Sequence, residues 1–574
     1  MASTLLPPRK SSEFKRSYVP DSADLGEWSR IEPILQDLCS RPLSTQEELE
    51  RWLADLSEAQ ACIEEEESRR AILYTCQTDD PEREKAHLQF IEEITPQLKP
   101  CWDRMNRQFL DSPARTGLDP LRYEVYQRLI ENEAQLFRAE NVPLQTEDDK
   151  LRQQYEKVCG AMTVQFQGEE KTFPQMKKYQ EETDRAVRQE AWEKVARRAL
   201  EDADALNEIY DQQVRLRTQM AHHAGFANYR DYQHLARGRF DYTPSDCVDF
   251  QDAVEKEVVP LMQQLAERRK RQMGLDRLRP WDMQVDPQGR PPLRPFDQAR
   301  RLIDGCIHVF SRVCEDFGQQ FKTLDQNGLL DLESRKGKAP GGYQAFLSEI
   351  RLPFIFMNAA GTDDDLFTLL HEGGHAFHSF AARLEPLQAY RSAPLEFCEV
   401  ASMGMELLCT PYLEEFYTED EAHRSRISHL EGILMILPWI ATIDAFQHWV
   451  YLHPEHTRKE REDYWLELRR RFGPPVDWSG YEDCARVAWH RQLHLFTHPF
   501  YYIEYGIAQL GSLQLWLNAS QDRARAVQDY RKGLALGGSR PLPVLFETSG
   551  LRFGFNREVV APLAARLAQD LELG

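Results

Sequence analysis

A surplus of basic residues is missing from this 574-residue sequence, in which 71 Lys and Arg stand against 93 Asp and Glu. The formal net charge of -22 argues against a nucleic-acid partner, because a phosphate backbone needs a basic face to bind. Hydrophobic residues make up 41% of the chain, which is enough for a large core and argues against global disorder. We therefore expect a large folded protein that binds no nucleic acid.

Paired cysteine motifs are also missing. The chain has 11 cysteines, an odd number, and none of them forms a CxxC pair. Such scattered cysteines do not predict a disulfide framework and are typical of reduced thiols in the cytosol. The first 20 residues, MASTLLPPRKSSEFKRSYVP, lack the continuous apolar core of a secretory signal. These features predict a cytoplasmic protein.

A long uninterrupted hydrophobic run is absent as well. The most apolar segment, EGILMILPWIATIDAFQHWVYL, starts at Glu431 and is interrupted by Pro438, Asp444 and His448. Ionisable residues are costly in the hydrocarbon core of a membrane. We therefore predict that this segment is a buried helix and that the protein has no membrane partner.

Helical periodicity dominates the chain, with one exception. Residues 1–155 are predicted to form an N-terminal helical region and residues 156–574 a catalytic region, the two making one continuous body. Four consecutive glutamates, Glu64 to Glu67, are interpreted as a solvated helix face, because adjacent helical residues do not converge on one point. The exception begins at residue 326, where LPFIFMN (352–358) predicts a short strand and the stretch before it a hairpin partner or loop.

The segment LFTLLHEGGHAFHSF follows this predicted strand and carries the clearest chemical motif of the chain. Thr362 and Asp365 form a capping pair that predicts the start of a helix just before it. On that helix, His371 and His375 are four residues apart and share a face, so both imidazoles can reach one zinc ion. Glu372 can then point beside the metal and accept a proton from the attacking water.

The neighbours of this HExxH motif carry further information. Gly373 and Gly374 each cost about 1 kcal/mol relative to alanine inside a helix, which indicates that another backbone approaches closely there. His378 lies about 10.5 Å along the helix axis from His371, too far for the same zinc ion. We expect His378 to support a metal ligand or to have a structural role. The alternative for the whole motif is a set of core histidines satisfied by hydrogen bonds.

A catalytic zinc ion usually takes a third protein ligand. The segment SAPLEFCEVASMGMELL reads as a helix and supplies Glu396, Glu399 and Glu406. The residue pattern leaves Glu396 and Glu399 as alternatives for the metal, and solvated glutamates as the remaining interpretation. Further on, HRQLHLFTHPFYYIEYGIAQLG contains histidines and tyrosines whose donors can stabilise an oxyanion, with aromatic packing as the alternative.

Taken together, these motifs resemble the thimet-oligopeptidase and oligoendopeptidase F family of zinc metallopeptidases. The resemblance rests on HEGGHAFH, EFCEVASMGME, HPFYYIEYGIAQLG and GKAPGGYQAFLSEIRLPFIFMNAAGT, and extends from about residue 160 to the end. It implies a mainly α fold, a large bowl-like zincin body with a deep substrate channel and a small β-sheet next to the HExxH helix. It also implies one Zn2+ per chain and endopeptidase activity on short unstructured peptides.

The resemblance further implies a role for each motif residue. His371, His375 and Glu399 become the metal ligands, and Glu372 becomes the general base. The Tyr-rich segment of the family matches Tyr502 and Tyr505 as oxyanion donors. The remaining candidates, which would support the metal ligands or bind substrate, are Glu396, Glu406, His378, His494 and His498, the last two as alternatives for one family histidine.

Two further expectations follow from the family and its rivals. The LPFIFMN region is expected to offer an edge that pairs main chain to main chain with an extended peptide. The rival functions are a non-catalytic helical scaffold and a dinuclear carboxylate protein in a helical bundle. The latter needs two Glu-x-x-His pairs, for which Glu372/His375 and Glu84/His87 are available.

Overall fold

The computed structural model describes residues 6, 7 and 13–573, and this part of the chain is mostly helical. Its α-helices are α1 Trp28–Ser40, α2 Gln46–Cys76, α3 Pro81–Gln89, α4 Thr95–Asp111, α5 Pro120–Leu136, α6 Asn141–Gly160, α7 Phe173–Gln180, α8 Arg185–Glu201, α9 Ala203–His223, α10 Tyr229–Ala236, α11 Pro244–Glu257, α12 Val259–Gln272, α13 Ala299–Val313, α14 Glu315–Gln326, α15 Asp363–Ala382, α16 Leu395–Cys409, α17 Glu419–Leu452, α18 Arg458–Phe472, α19 Glu482–Arg486, α20 Leu493–Thr497, α21 Tyr502–Gln521, α22 Arg523–Leu534, α23 Leu542–Thr548 and α24 Arg557–Asp570. The strands are β1 Thr163–Phe166, β2 Glu169–Thr172, β3 Leu330–Glu333, β4 Tyr343–Leu347 and β5 Leu352–Ala359.

The chain forms two compact units, each assembled from three separate stretches. The first unit comprises Met1–Ala134, Leu293–Ser425 and Gly511–Phe553, and the second comprises Gln135–Pro292, Arg426–Leu510 and Gly554–Gly574. The HExxH helix and the three-stranded sheet belong to the first unit. The boundary expected at residue 155, between an N-terminal helical region and a catalytic region, stays a prediction.

The sheet of the first unit has the strand order β3-β5-β4. β5 is the predicted LPFIFMN strand, and it pairs antiparallel with β4, its predicted hairpin partner, and parallel with β3. Because β5 is hydrogen-bonded on both sides, the prediction that LPFIFMN offers an edge to a peptide is wrong. The edge strands are β3 and β4, neither of which pairs with a further strand of the described residues, and α2 packs against β4.

Helix α15 lies at the centre of the first unit. It packs against β4 and β5 on the sheet and against the helices α13, α14, α16 and α22. Its apolar side chains Leu366, Leu369, Leu370 and Phe377 are completely buried. The predicted fold class, mainly α with a small sheet beside the HExxH helix, is therefore confirmed.

The four consecutive glutamates of α2 are not a solvated face, and that interpretation is wrong. Glu65 and Glu66 are buried and form salt bridges of 2.7 Å with Arg69 and Arg70, one turn further along the helix. The second carboxylate oxygen of Glu65 accepts the backbone N–H of Ile350 at 2.8 Å. These charges are buried because they have partners, among them the turn that connects β4 to β5.

Among the described residues, one helix is long and apolar enough to cross a membrane. It is α17, which contains the segment EGILMILPWIATIDAFQHWVYL. An 18-residue window of this helix has a mean hydropathy of 1.3. Of that window 67% is buried inside the fold. This is the environment of a core helix, as predicted for the segment.

Candidate metal centre and active site

The start of α15 is fixed by a reciprocal pair of hydrogen bonds. The backbone N–H of Asp365 donates to Thr362 Oγ1 at 3.2 Å, and Asp365 Oδ2 accepts the backbone N–H of Thr362 at 2.8 Å. The predicted capping pair is therefore confirmed. Tyr417 and Ser425 add hydroxyl hydrogen bonds of 2.6 and 2.7 Å to Asp363 in the first turn. A helix held this firmly presents its later side chains in a defined direction.

The two glycines of the HEGGH motif let neighbouring groups approach α15. A Cβ atom on Gly374 would lie 2.5 Å from the carbonyl oxygen of Ala401 and 2.6 Å from the Cα of Ser402. Both are backbone atoms of α16, so the predicted close approach of another backbone is confirmed. A Cβ atom on Gly373 would lie 2.5 Å from the ring of Phe310. Gly374 thus lets α16 bring its glutamates against the histidines, and Gly373 makes room for Phe310 of α13.

Three side chains converge where α15 and α16 meet. Glu399 Oε2 lies 3.3 Å from His371 Nε2 and 3.8 Å from His375 Nε2, and the three ligand atoms all lie within 4.8 Å of one another. Ligands about 2.1 Å from a tetrahedral zinc ion are roughly 3.4 Å apart. The observed spacing and the donor types, two imidazoles and one carboxylate, therefore fit a catalytic zinc ion with one position left open.

Neighbouring groups orient these three side chains. His371 Nδ1 lies 2.6 Å from Glu406 Oε1, and His375 makes a backbone hydrogen bond with Cys398. Ser402 Oγ donates to Glu399 Oε2 at 3.2 Å. A carboxylate or carbonyl behind a metal-binding histidine fixes its ring orientation and raises its basicity. The cluster thus has the supporting hydrogen bonds that metal centres require.

The electrostatics of the cluster favour a cation. Burial disfavours the charged form of His371, but its hydrogen bonds to Glu399 and Glu406 outweigh burial and hold its pKa well above the usual value. Burial lowers the pKa of His375 to about 4. Although burial acts to raise it, the hydrogen bond from His371 and the nearby rings lower the pKa of Glu399 to about 2. The carboxylates therefore create a site for positive charge between the rings.

Glu372 is positioned beside the metal ligands rather than among them. Its side chain is 7% exposed, and its Oε2 has no hydrogen-bond partner among the described residues. Burial raises the pKa of Glu372 to about 7, against an opposing backbone hydrogen bond from Gln344. A carboxyl group with a pKa close to neutral can both accept and release a proton. Its contact with Gln344 also places it next to β4.

The other residues predicted on α15 and α16 lie outside the group of three donors. Glu396 is buried one turn before Glu399. His378 is buried with its ring 5.7 Å from that of Phe397, and burial lowers its pKa to about 3. Glu84 and His87, the pair required by a dinuclear centre, belong to neither donor group found in the described residues.

The predicted tyrosines and histidines of the Tyr-rich segment belong to the second unit, where they form an aromatic cluster. The ring of His494 lies 4.9 Å from that of Tyr502 and 6.1 Å from that of Tyr505. Gln492 is 2.9 Å from His494 Nδ1 and fixes that ring. His498 is exposed. The structure thus places His494, rather than His498, against both predicted tyrosines.

The backbone that leads into this cluster is strained. Phe500 has a φ angle of 62°, which is rare for a residue with a side chain. Its N–H donates to Gln447 Oε1 at 2.6 Å, and its carbonyl oxygen accepts from Arg239. These partners hold the turn that starts α21 and so direct Tyr502 and Tyr505.

Sequence reasoning missed two features of potential function. One is Gln344, whose position on an edge strand depends on pairing that the sequence does not reveal. The other is a second group of metal-binding side chains, Cys247, Asp444 and His448, in the second unit. The spacing of Asp444 and His448, four residues apart in an apolar helix, was the available signal for it.

Comparison with known proteins places the chain in a family. The profile described as Peptidase family M3 matches residues 178–564, and the profile of the Peptidase M3 N-terminal domain matches residues 27–137. An oligoendopeptidase F homolog of Borreliella burgdorferi is 26% identical over 304 residues, which are 50% of this chain and 48% of the relative. The chain thus spans about half the length of this curated relative.

Solved structures resemble the chain along nearly its whole length. A structure described as a putative oligoendopeptidase F is 30% identical, with a TM-score of 0.87 and 98% of each chain covered. A structure of Pz peptidase A with an inhibitor is 29% identical, with a TM-score of 0.86, 98% of this chain and 100% of the other being covered. Because the family profile covers more than half of the sequence, the resemblance seen in its motifs is confirmed, and this chain belongs to peptidase family M3.

Proposed function

We propose that this chain is a zinc-dependent oligopeptidase that hydrolyses internal bonds of short, unstructured peptides. One Zn2+ would be held by His371, His375 and Glu399. The observation that carries the proposal is the convergence of these three donors within 4.8 Å, with the buried carboxylate of Glu372 beside them. Membership of a peptidase family and relatives described as oligoendopeptidases support it.

The chain's own residues would carry the proton transfers. When bound, zinc supplies a Lewis acid that polarises the scissile carbonyl and lowers the pKa of water. Glu372 accepts the proton of the attacking water and then delivers it to the leaving amine. Tyr502 and Tyr505, assigned from the family resemblance, donate hydrogen bonds to the oxyanion of the tetrahedral intermediate. Glu406 keeps the His371 ring oriented.

The outer edge of β4 is the proposed binding surface for the peptide backbone. Ile355 of β5 donates its N–H to Leu329 on the β3 side of the sheet. Gln344 is paired opposite Ile355 in the antiparallel ladder, so its own N–H and C=O point away from β5, where the backbone of Gln344 also hydrogen-bonds to Glu372. Main-chain pairing there would hold an extended peptide beside Glu372 with little sequence selectivity.

We also propose a cytoplasmic location, with peptides as partners and neither nucleic acid nor membrane. No disulfide links the cysteines of the described residues, which supports a reducing compartment. The net charge of -22 disfavours nucleic acid.

The first test is metal content by mass spectrometry, together with cleavage of a quenched fluorescent peptide with and without a chelator. His375→Ala is expected to lose both zinc and cleavage, because a catalytic zinc site depends on each of its three protein ligands. His308→Ala removes an exposed imidazole of the same unit and should change neither. Chelator-resistant cleavage, or full zinc content in His375→Ala, would contradict the proposed centre.

Tyr505→Phe tests the oxyanion assignment. Removing the hydroxyl should lower kcat by about 10²-fold, the scale of one oxyanion donor, with the fold and metal content retained. Tyr464→Phe is the matched control, since it removes a tyrosine hydroxyl from the same unit, on a ring that stacks on Trp449 at 4.7 Å. If Tyr505→Phe cleaves peptides at the wild-type rate, the tyrosine serves packing alone.

A further inference from the structure

A second group of potential metal ligands lies inside the second unit, between α11 and α17. Each helix contributes two side chains four residues apart, which therefore share a face. Cys247 and Gln251 come from α11, and Asp444 and His448 come from α17. All four are buried, Asp444 completely. Asp444 and His448 are two of the residues that interrupt the most apolar segment of the sequence. Cys247 and Gln251 face them from α11.

The distances within the group are those of a ligand set. The ligand atoms of Cys247, Asp444 and His448 all lie within 4.8 Å of one another. His448 Nε2 is 3.4 Å from Asp444 Oδ2, close to the roughly 3.4 Å that separates two ligands of a tetrahedral zinc ion. Gln251 Nε2 donates to the same oxygen of Asp444 at 2.7 Å and so orients the carboxylate.

Two buried polar atoms of this group are left without hydrogen bonds. Asp444 Oδ1 and His448 Nδ1 have no partner among the described residues. A buried carboxylate is costly unless it is paired or coordinates a metal. The side chain of Gln251, which donates to Asp444, carries no charge. The nearby guanidinium groups of Arg239 and Arg230 have carboxylate partners of their own, at 2.6 Å and 2.9 Å. A bound cation would balance the charge, and a neutral ring is the form of histidine that binds metals.

The donor types indicate which cation fits. Ca2+ and Mg2+ prefer sites made of oxygen ligands, whereas thiolate and imidazole favour zinc and its neighbours among the transition metals. We propose that Cys247, Asp444 and His448 form a second metal site that takes a divalent transition-metal ion, zinc above all, and ties α11 to α17. Binding would release the thiol proton of Cys247, because a metal-bound cysteine is a thiolate.

The position of this site gives it a structural role. The ring of His448 lies 5.7 Å from that of Phe500, and the adjacent Gln447 accepts the N–H of Phe500. Phe500 is the strained residue at the turn before α21, which carries Tyr502 and Tyr505. A metal that fixes His448 on α17 therefore stabilises the support of the tyrosine cluster. This role differs from the chemistry proposed for the first centre.

Cobalt substitution separates the two sites. The full-length chain is stripped with a chelator and reloaded with Co2+, and cobalt per chain is measured together with the difference absorption spectrum. The first centre has no sulfur ligand, so a thiolate-to-cobalt charge-transfer band in the near ultraviolet reports the Cys247 site alone. We expect two cobalt ions per chain and this band in the wild-type protein. A wild-type protein without the band would overturn the proposal, whatever the occupancy of the first centre.

The variants assign the band to its ligand. Cys247→Ser should abolish the band and reduce the cobalt content from two ions to one. Cys306→Ser makes the same change at a completely buried cysteine of the first unit and should retain both signals. A band that persists in folded Cys247→Ser would also overturn the proposal. If Cys247→Ser fails to fold, the cobalt spectrum of the wild-type protein still tests the proposed site.

Discussion

Glu372→Gln is expected to retain its zinc and lose nearly all peptidase turnover. The amide has almost the shape of the carboxylate, but it cannot accept the proton of the attacking water. Because Glu372 lies outside the three-donor group, metal content should be unchanged. The loss of a general base costs about 10²- to 10⁴-fold in rate. The measurements are kcat on a quenched fluorescent peptide and zinc per chain by mass spectrometry.

Glu414→Gln is the matched control for this prediction. It removes one negative charge in the same unit, from an exposed position, and should leave kcat and zinc content at their wild-type values. Wild-type turnover in Glu372→Gln would exclude Glu372 as the base. Loss of zinc from Glu372→Gln would instead make Glu372 part of the metal centre, contrary to the observed geometry.

Gly374→Ala is expected to weaken zinc binding strongly, although alanine is the better helix former. The new Cβ would lie 2.5 Å and 2.6 Å from backbone atoms of Ala401 and Ser402, which cannot move unless α16 moves. Overpacking of this kind typically costs about 1–3 kcal/mol. A displaced α16 carries Glu399 away from His371 and His375, so the zinc affinity should fall and the Tm should drop.

Gly432→Ala is the control for the glycine substitution. Gly432 also lies inside a helix, α17, but a Cβ there would meet no atom within 4 Å. Replacing it should keep the zinc affinity and leave the Tm unchanged or slightly higher, because alanine is favoured over glycine in helices by about 1 kcal/mol. Zinc titrations and thermal unfolding of the metal-free proteins separate the two effects. Equal zinc affinity in Gly374→Ala and wild type would show that the close helix contact is not needed for the centre.

Local patterns predicted the parts of the fold that depend on neighbours in sequence. The 3.6-residue helical repeat places His371 and His375 on one face wherever the helix lies. The capping pair of Thr362 and Asp365 needs only its own turn to form. The strand LPFIFMN was recognisable from its own apolar run. The family resemblance extended these local motifs to a mainly α fold.

Contacts between segments far apart in the chain could not be predicted from the sequence patterns. The buried glutamates of α2 looked like a solvated face because their partners, Arg69, Arg70 and the turn at Ile350, are defined only by packing. The edge of the sheet was assigned to the wrong strand, because the sequence pattern does not show that β5 lies between β3 and β4 and pairs with both.

What the sequence by itself determined is the chemistry of α15: two imidazoles and a carboxylate at a spacing set by the helix. The residue pattern alone left Glu396 and Glu399 as alternatives, the family resemblance favoured Glu399, and the tertiary structure shows Glu399 meeting the two histidines. Both glutamates are buried on α16, and their choice depends on how α16 crosses α15 at Gly374. The same holds for Cys247, which reaches Asp444 and His448 from another helix. The physical reason is that helical periodicity acts over a few residues, whereas packing joins residues that are far apart in the chain.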